Sequence, residues 1–295
     1  MPGSLSPTTL HHPILRWYAA NARDLPWRAA EATPWQILIS EVMLQQTPVN
    51  RVLPVYEDWV RRWPTPAALA AEPSGEAVRH WGRLGYPRRA LRLHAAAVAM
   101  VQRHNGQVPS DIEQLRALPG IGEYTAAAVA SFAYRQRHPV LDTNVRRVFA
   151  RAVHGQQYPS VSATAAERRA ARELLPDQPE TAARWGVAVM ELGALVCVAR
   201  TPRCADCPIR TRCAWRLAGR PAHDGPKRKV QQYDGTDRQC RGALLAVLRN
   251  ATAPVSAEQL RAAWADHAQR DRALTSLLTD GLVTRTTDGH FALPI

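Results

Sequence analysis

Along residues 5–200 apolar side chains recur at three- and four-residue intervals, broken by Pro and Gly, and no stretch before the C-terminal region alternates with a period of two. The pattern predicts a succession of amphipathic helices and a mainly α body. One helix marks its own start: Thr33 can cap, Pro34 suits the first turn, Gln36 completes a T-x-x-Q box, and the apolar run 37–44 follows. Further helices are predicted over 87–104, 110–117, 122–134 and 142–153, with breaks at Asn105-Gly106 and Pro119-Gly120. No fixed-period repeat is visible.

The pattern changes after residue 218. GRPAHDGPKRKVQQYDGTD, rich in Gly, Pro, Asp and charge, predicts an exposed linker over 219–238. Beyond it come helix-like segments at 241–250, 256–264 and 267–279, then 282–293 with Asp288-Gly289 at a hairpin turn. Three helices and a hairpin suggest a small winged-helix-like module over 239–295, behind a helical body over 1–218.

The chain's 295 residues, 46% of them apolar, suffice for one large core or two to three modules. The longest apolar run, 95–101, is too short to span a bilayer, and MPGSLSPTTLHHP lacks the makings of a signal peptide. A cytoplasmic protein is expected, nucleoid-associated in a prokaryote, with no membrane partner. The net charge of +13 and pI near 10.4 attract polyanions, although a merely soluble basic protein has the same balance. Lys227 and Lys229 are the only lysines, so residues 1–226 contain no side-chain amine.

Four of the five cysteines crowd together with spacing C-x6-C-x2-C-x5-C: Cys197, Cys204, Cys207 and Cys213. Four thiolates suit iron-sulfur or zinc. Zinc modules usually supply two C-x2-C knuckles or paired histidines, so a cluster is favoured and zinc stays the alternative. Arg203, Arg210, Arg212 and Arg216 interleave with these ligands, as cations for phosphates or as a solvated basic surface. Cys240 is left over.

Three other features carry candidate chemistry. LPGIG at 118–122 joins two predicted helices; its small residues allow a phosphate to approach backbone N–H groups, or simply make a tight turn. Glu41 has Ile37, Leu38, Leu44 and Gln45 at helical spacing, and a Glu buried on that face would hold its proton tightly, whereas most helical acids face solvent. Asp142 precedes the helical run that begins near Val145, where its plain role is an N-cap.

SEVMLQQT, GRLGY, LPGIGEYTA, LDTNVRRV and the four-cysteine loop, in that order, resemble the endonuclease III superfamily, and within it adenine DNA glycosylases of the MutY type. The resemblance covers roughly residues 10–216. It implies a helix-hairpin-helix DNA glycosylase fold, with the hairpin over 110–134 and a [4Fe-4S] cluster on the loop 197–213. It further implies removal, by base flipping and hydrolysis, of adenine mispaired with 8-oxoguanine or guanine in double-stranded DNA. By the same resemblance Glu41 is the acid expected to protonate the departing adenine, Asp142 the carboxylate expected to stabilise the sugar cation, and Tyr124, standing where lyase-competent relatives carry a lysine, a residue expected to assist near the sugar. The resemblance places Gln46 near the intercalation site and Tyr86 near the opposite guanine; Gln45 is a further candidate to support the gap, and Gly120 and Gly122 are candidates to meet phosphate. The plain alternatives are surface polarity for the glutamines and a turn-packed Tyr86.

Pro87 departs from the second tyrosine often found after the Gly-Tyr segment. The tail looks too short for the Nudix-like module common in the family, so adenine excision is a firmer expectation than lesion discrimination. Arg261, Arg270, Arg272 and Arg285 in the tail are candidates for DNA contact; the alternatives are that winged modules also bind proteins and that the tail's apolar positions simply form a small core. A monomer is expected, with no protein partner specified. The rivals are a glycosylase for oxidised pyrimidines or thymine mismatches, and a noncatalytic DNA-binding regulator.

Overall fold

The computed structural model describes residues 8–223, 225 and 233–295; Lys227 and Lys229, with part of the expected linker, lie outside them. The chain divides into two compact units, one built from residues 1–37, 110–116 and 122–226, the other from 38–109, 117–121 and 227–295.

The first unit contains α1 (Thr8–Asn21), a 3-10 turn at Pro26–Arg28 and the beginning of α2 (Pro34–Met43). The second holds the rest of α2, α3 (Val49–Arg62), α4 (Pro66–Ala70), α5 (Ser74–Trp81) and α6 (Arg88–Arg103). The chain then returns to the first unit for α7 (Ile112–Arg116), α8 (Glu123–Phe132), α9 (Thr143–Ala152), α10 (Ala165–Glu173), α11 (Pro179–Leu195) and α12 (Ala214–Leu217). The second unit closes with α13 (Asp237–Asn250), α14 (Ala257–Ala262), α15 (His267–Thr279) and a hairpin of β1 (Thr284–Arg285) and β2 (Phe291–Ala292).

In the first unit α11 is the central element, packing on α1, α8 and α9. Its sequence, PETAARWGVAVMELGAL, is apolar on several faces, as a helix covered on several sides must be. Ile14, Val148, Phe149, Trp185, Val189 and Leu192 form the centre of this core. Inside it sits a charge: Glu191, with no solvent exposure, accepts Arg23 at 2.7 Å and Arg28 at 2.8 Å.

The second unit packs α4 and α5 on α6, with Trp59, Trp63 and Trp81 stacked edge to face at 4.8 and 5.4 Å. In the tail, α13 packs on α15 and α14, and the hairpin pairs Thr284 with Ala292 and Arg285 with Phe291. Val255 bridges to Phe291 on the far side of β2. Gly289, left-handed at φ +85°, makes the reversal that Asp288-Gly289 signals.

Most predicted helices lie within a few residues of their observed bounds. The predicted 110–117 is shorter as α7, because Asp111 accepts the N–H groups of Glu113 and Gln114 and sets the start at Ile112. Thr236 caps α13, which begins at Asp237, inside the expected linker. The tail arginines divide: Arg270 is buried and donates to the Trp264 carbonyl at 3.0 Å, a brace of the small core. Arg272 pairs with Asp237 at 3.4 Å.

Candidate active site and cysteine loop

The turn between α7 and α8 needs glycine at position 120 on two counts. Gly120 is left-handed at φ +76°, and a Cβ there would come 2.6 Å from the Cβ of Arg92. Gly122 is the extended N-cap of α8 and lacks a capping side chain; a Cβ there would meet nothing within 4 Å. The cap position thus adds no side chain at the start of α8, and the space beside it is open. Tyr124, half-buried, is the second residue of α8.

Asp142 is the N-cap of α9: its Oδ1 accepts the Val145 N–H at 2.6 Å, and its Oδ2 accepts the Asn144 amide at 2.7 Å. The plain reading of Asp142 is therefore present in the fold, and it orients the carboxylate. Burial pushes the carboxyl up from the ordinary aspartate range, against the pull of those hydrogen bonds. Behind it, Arg147 donates to Asn144 Oδ1 at 2.8 Å, the Gly193 carbonyl at 2.6 Å and the Cys197 carbonyl at 2.7 Å. Gly193 lets α11 come this close, since a Cβ there would stand 2.7 Å from the Cβ of Asn144. One buried arginine thereby ties the Asp142 cap to the start of the cysteine loop.

In the other unit Glu41 is 6% exposed, between Ser40 and Val42 in α2, so its helical face is the buried one. The helix ends at Met43, and the exposed Gln46 takes the left-handed conformation at φ +56°. Arg89 holds this end together, donating Nη1 to the carbonyls of Val42, Met43 and Gln45 at 2.8, 3.0 and 2.7 Å. Its Nη2 reaches Thr47 Oγ1 at 3.0 Å and the Gly85 carbonyl at 3.1 Å. Burial brings the Arg89 pKa down to about 10, and its guanidinium lies over the rings of Trp81 and Tyr86. The Gln45 carbonyl and the Tyr86 ring are thus brought to one arginine. Sequence reasoning missed Arg89 because one arginine in GYPRRALR looks like the next; its burial is a tertiary fact.

The four cysteines line one pocket of the first unit, closed by Val148, Leu192, Ile209 and Trp215. Cys197 follows α11 and Cys213 is the N-cap of α12, so two helix ends set the span of the loop. Arg151, 1% exposed, donates to Cys197 Sγ at 3.4 Å and to the Val198 and Ala199 carbonyls at 2.8 Å each. The Cys213 thiol donates to the Arg151 carbonyl at 3.5 Å. Burial pushes the Cys207 thiol up to about 12 and raises Cys213 as well. Among the described residues, no three or more His, Cys, Asp or Glu side chains form a metal-ion site.

The interleaved arginines brace this loop. Arg203 donates to the Leu195 carbonyl at 2.6 Å, Arg210 to Ala205 at 2.8 Å, Arg212 to Thr9 at 3.0 Å and Arg216 to Arg210 at 3.2 Å.

Residues 39–173 match the family described as HhH-GPD superfamily base excision DNA repair protein. An adenine DNA glycosylase of Mycobacterium tuberculosis is 59% identical over 282 residues, covering 95% of this chain and 92% of the relative. That match reaches into the tail, beyond the roughly 10–216 in which the sequence motifs lie. A solved thermostable thymine-DNA glycosylase superposes with a TM-score of 0.66 at 26% identity, covering 72% of this chain and 97% of its own. An endonuclease III bound non-covalently to DNA shares the fold, with a TM-score of 0.61 at 22% identity over 74% of this chain and 100% of its own. The chain belongs to the HhH-GPD superfamily of base excision DNA repair proteins and, within it, to the family of adenine DNA glycosylases.

Proposed function

We propose that the protein is a monofunctional glycosylase that binds duplex DNA, flips out an adenine mispaired with 8-oxoguanine or guanine, and hydrolyses its glycosidic bond. The observation that carries the reading is the pair of carboxylates in opposite settings: Glu41 on a buried helical face, and Asp142 fixed by two hydrogen bonds at a helix start. Glu41, as the acid, gives a proton to the purine so that it leaves neutral. Asp142, ionised, sits against the positive charge left on the deoxyribose. Water adds its hydroxyl to the sugar carbon from which the glycosidic bond has broken, and its remaining proton returns the Glu41 carboxylate to the acid form. Tyr124, in the lyase-lysine position, assists near the sugar and cannot form a Schiff base.

A flipped base leaves a gap that must be filled. Gln45 and Gln46 serve at the gap, Tyr86 meets the opposite base, and Gly120 and Gly122 admit a phosphate to the start of α8. The tail over 239–295, with its three helices and hairpin, is read as a winged-helix-like module.

A [4Fe-4S] cluster on this loop is supported by the donor set: four cysteines border one pocket, and Arg151 stands beside Cys197 as a cation that complements a negatively charged group. Cys197, Cys204, Cys207 and Cys213 would hold it. When bound, the cluster supplies four iron-thiolate links that fix the shape of the loop.

The test is a duplex panel: adenine opposite 8-oxoguanine, adenine opposite guanine, thymine mismatches and oxidised pyrimidines, each analysed with and without alkali. Free adenine, with strand breaks appearing only after alkali, supports the reading. Preferred release of thymine or an oxidised pyrimidine, or alkali-independent breaks as the main product, overturns it.

A further inference from the structure

The turn 82–86 between α5 and α6 carries three left-handed residues, Gly82 at φ +56°, Gly85 at +83° and Tyr86 at +48°. The last is a costly conformation for an aromatic side chain. Each carbonyl of the turn has a donor. Arg51 takes Arg83, Thr47 takes Leu84 at 3.4 Å, and Trp81 Nε1 takes Gly85 at 3.0 Å beside Arg89. The Arg89 N–H takes Tyr86 at 3.0 Å. The donor to the Gly82 carbonyl comes from the tail: it is Arg249, in the last turn of α13.

The exchange is reciprocal. Arg79 of α5 donates to the carbonyls of Arg249 and Ala251 at the end of α13, the second at 2.9 Å. Each helix therefore receives at its C-terminus an arginine from the other, where carbonyls lack intrahelical partners and the helix dipole favours a cation. Two further links hold the same face: the Gly75 N–H reaches the Pro294 carbonyl at 2.7 Å, and Arg88 pairs with Asp280 at 3.2 Å. Asp280 also binds Arg241 of α13 at 2.6 Å. The Tyr86 ring, half exposed, has Arg89 at 5.5 Å and Arg238 of α13 at 6.0 Å.

We propose that the tail helix α13 sets the conformation of the turn 82–86, through Arg249 on the Gly82 carbonyl and Arg238 at the Tyr86 ring, and thereby tunes the choice of base opposite adenine. This rests on the opposite-base role of Tyr86 given above. Arg249 is a positioning residue: it acts through Tyr86 rather than by touching DNA. An arginine near a helix end can satisfy the carbonyl of a strained turn without adding bulk beside the ring.

The experiment uses the full chain as wild type, Arg249→Gln, Arg249→Lys, Arg238→Gln and Tyr86→Ala. Three quantities are read: dissociation constants for adenine opposite 8-oxoguanine, guanine and cytosine; saturated single-turnover excision; and amide hydrogen exchange over 82–86. Arg249→Gln is expected to speed exchange in the turn and to shrink the ratio of dissociation constants between opposite bases roughly tenfold, the worth of one charge-assisted hydrogen bond. The change should fall on that ratio more than on the saturated rate. Arg249→Lys should restore much of it, Arg238→Gln should shrink it in the same direction, and Arg249→Gln added to Tyr86→Ala should shrink it no further. If Tyr86→Ala loses discrimination while Arg249→Gln keeps both discrimination and slow exchange, the tail proposal alone is overturned. If Tyr86→Ala keeps full discrimination, the opposite-base role of Tyr86 falls and takes this proposal with it.

Discussion

Asn144 donates its side-chain amide to Asp142 Oδ2 at 2.7 Å while the Val145 N–H occupies Oδ1 at 2.6 Å, so the carboxylate is held at both oxygens before any substrate arrives. Asparagine caps a helix about as well as aspartate. Asp142→Asn is therefore expected to keep α9 and a melting temperature within about 2 °C of wild type, yet to lose adenine excision by roughly a hundredfold or more. Calorimetry with single-turnover kinetics checks both halves. A folded Asp142→Asn protein with near-normal excision would remove Asp142 from the chemistry.

The raised pKa of Asp142 gives a pH signature. Only the ionised form stabilises the sugar cation, so excision should fall with decreasing pH at a higher value than an ordinary aspartate would set, and recover fully above it. The stability linkage has the same direction of proton affinity: the folded state binds this proton more tightly than the unfolded chain, so this group's contribution favours folding as pH drops through the folded pKa. Rate-pH profiles of the saturated enzyme should show this acid limb, and an Asp142→Glu variant with residual activity should shift it.

Glu191 has the opposite sign. Desolvation raises its carboxyl, but the hydrogen bonds from Arg23 and Arg28 outweigh that and hold it down at about 2, from an ordinary 4.5. Its contribution, on the order of 3 kcal/mol, is present above pH 4.5 and is lost as pH falls toward about 2. Glu191→Gln leaves two arginines facing a neutral amide and should cost ~3 kcal/mol near neutral pH. Denaturant unfolding at pH 7 and pH 3 measures this: the gap between wild type and variant should narrow at the lower pH, and a constant gap would refute the assignment.

How far the sequence carries can be judged at particular residues. The helical pattern and the caps at Thr33 and Asp142 act locally, over three or four positions, and these are the parts that a single sequence expresses well. The four cysteines are legible because their spacing is short, and Glu41's burial because its apolar neighbours share its helix. Arg89, Arg147, Arg151 and Glu191 were not legible: each is a charged residue buried by partners 46 to 168 positions away, such as Arg89 with Met43, Arg147 with Gly193 and Glu191 with Arg23. Arg270 was not legible for a different reason: its partner Trp264 is near in sequence, but its burial depends on how the tail helices pack.

Gly193 supplies a steric prediction. A methyl group there would stand 2.7 Å from the Asn144 Cβ and 2.9 Å from its carbonyl oxygen, so Gly193→Ala must displace the segment that orients Asp142. The expected result is a loss of ~1–3 kcal/mol of stability with a larger proportional loss of excision than of DNA binding. Equal losses in all three would mean that the contact serves packing alone.

Protein purified anaerobically is expected to contain iron and acid-labile sulfide in equal amounts, bound by Cys197, Cys204, Cys207 and Cys213. Each Cys→Ser variant should lower both together, and Arg151→Met, which removes the donor beside Cys197, should make the cluster easier to lose on oxidation. Stoichiometric zinc without sulfide would assign the pocket to the other metal.

The proton that Glu41 is assigned to deliver is the step on which base removal depends. Glu41→Gln should be measured on duplex containing adenine opposite 8-oxoguanine, at enzyme concentrations that saturate binding, with excision followed in a single turnover. Binding within a few-fold of wild type and excision slowed by at least about a hundredfold is the predicted result; a folded Glu41→Gln protein that releases adenine at close to the wild-type rate would contradict it.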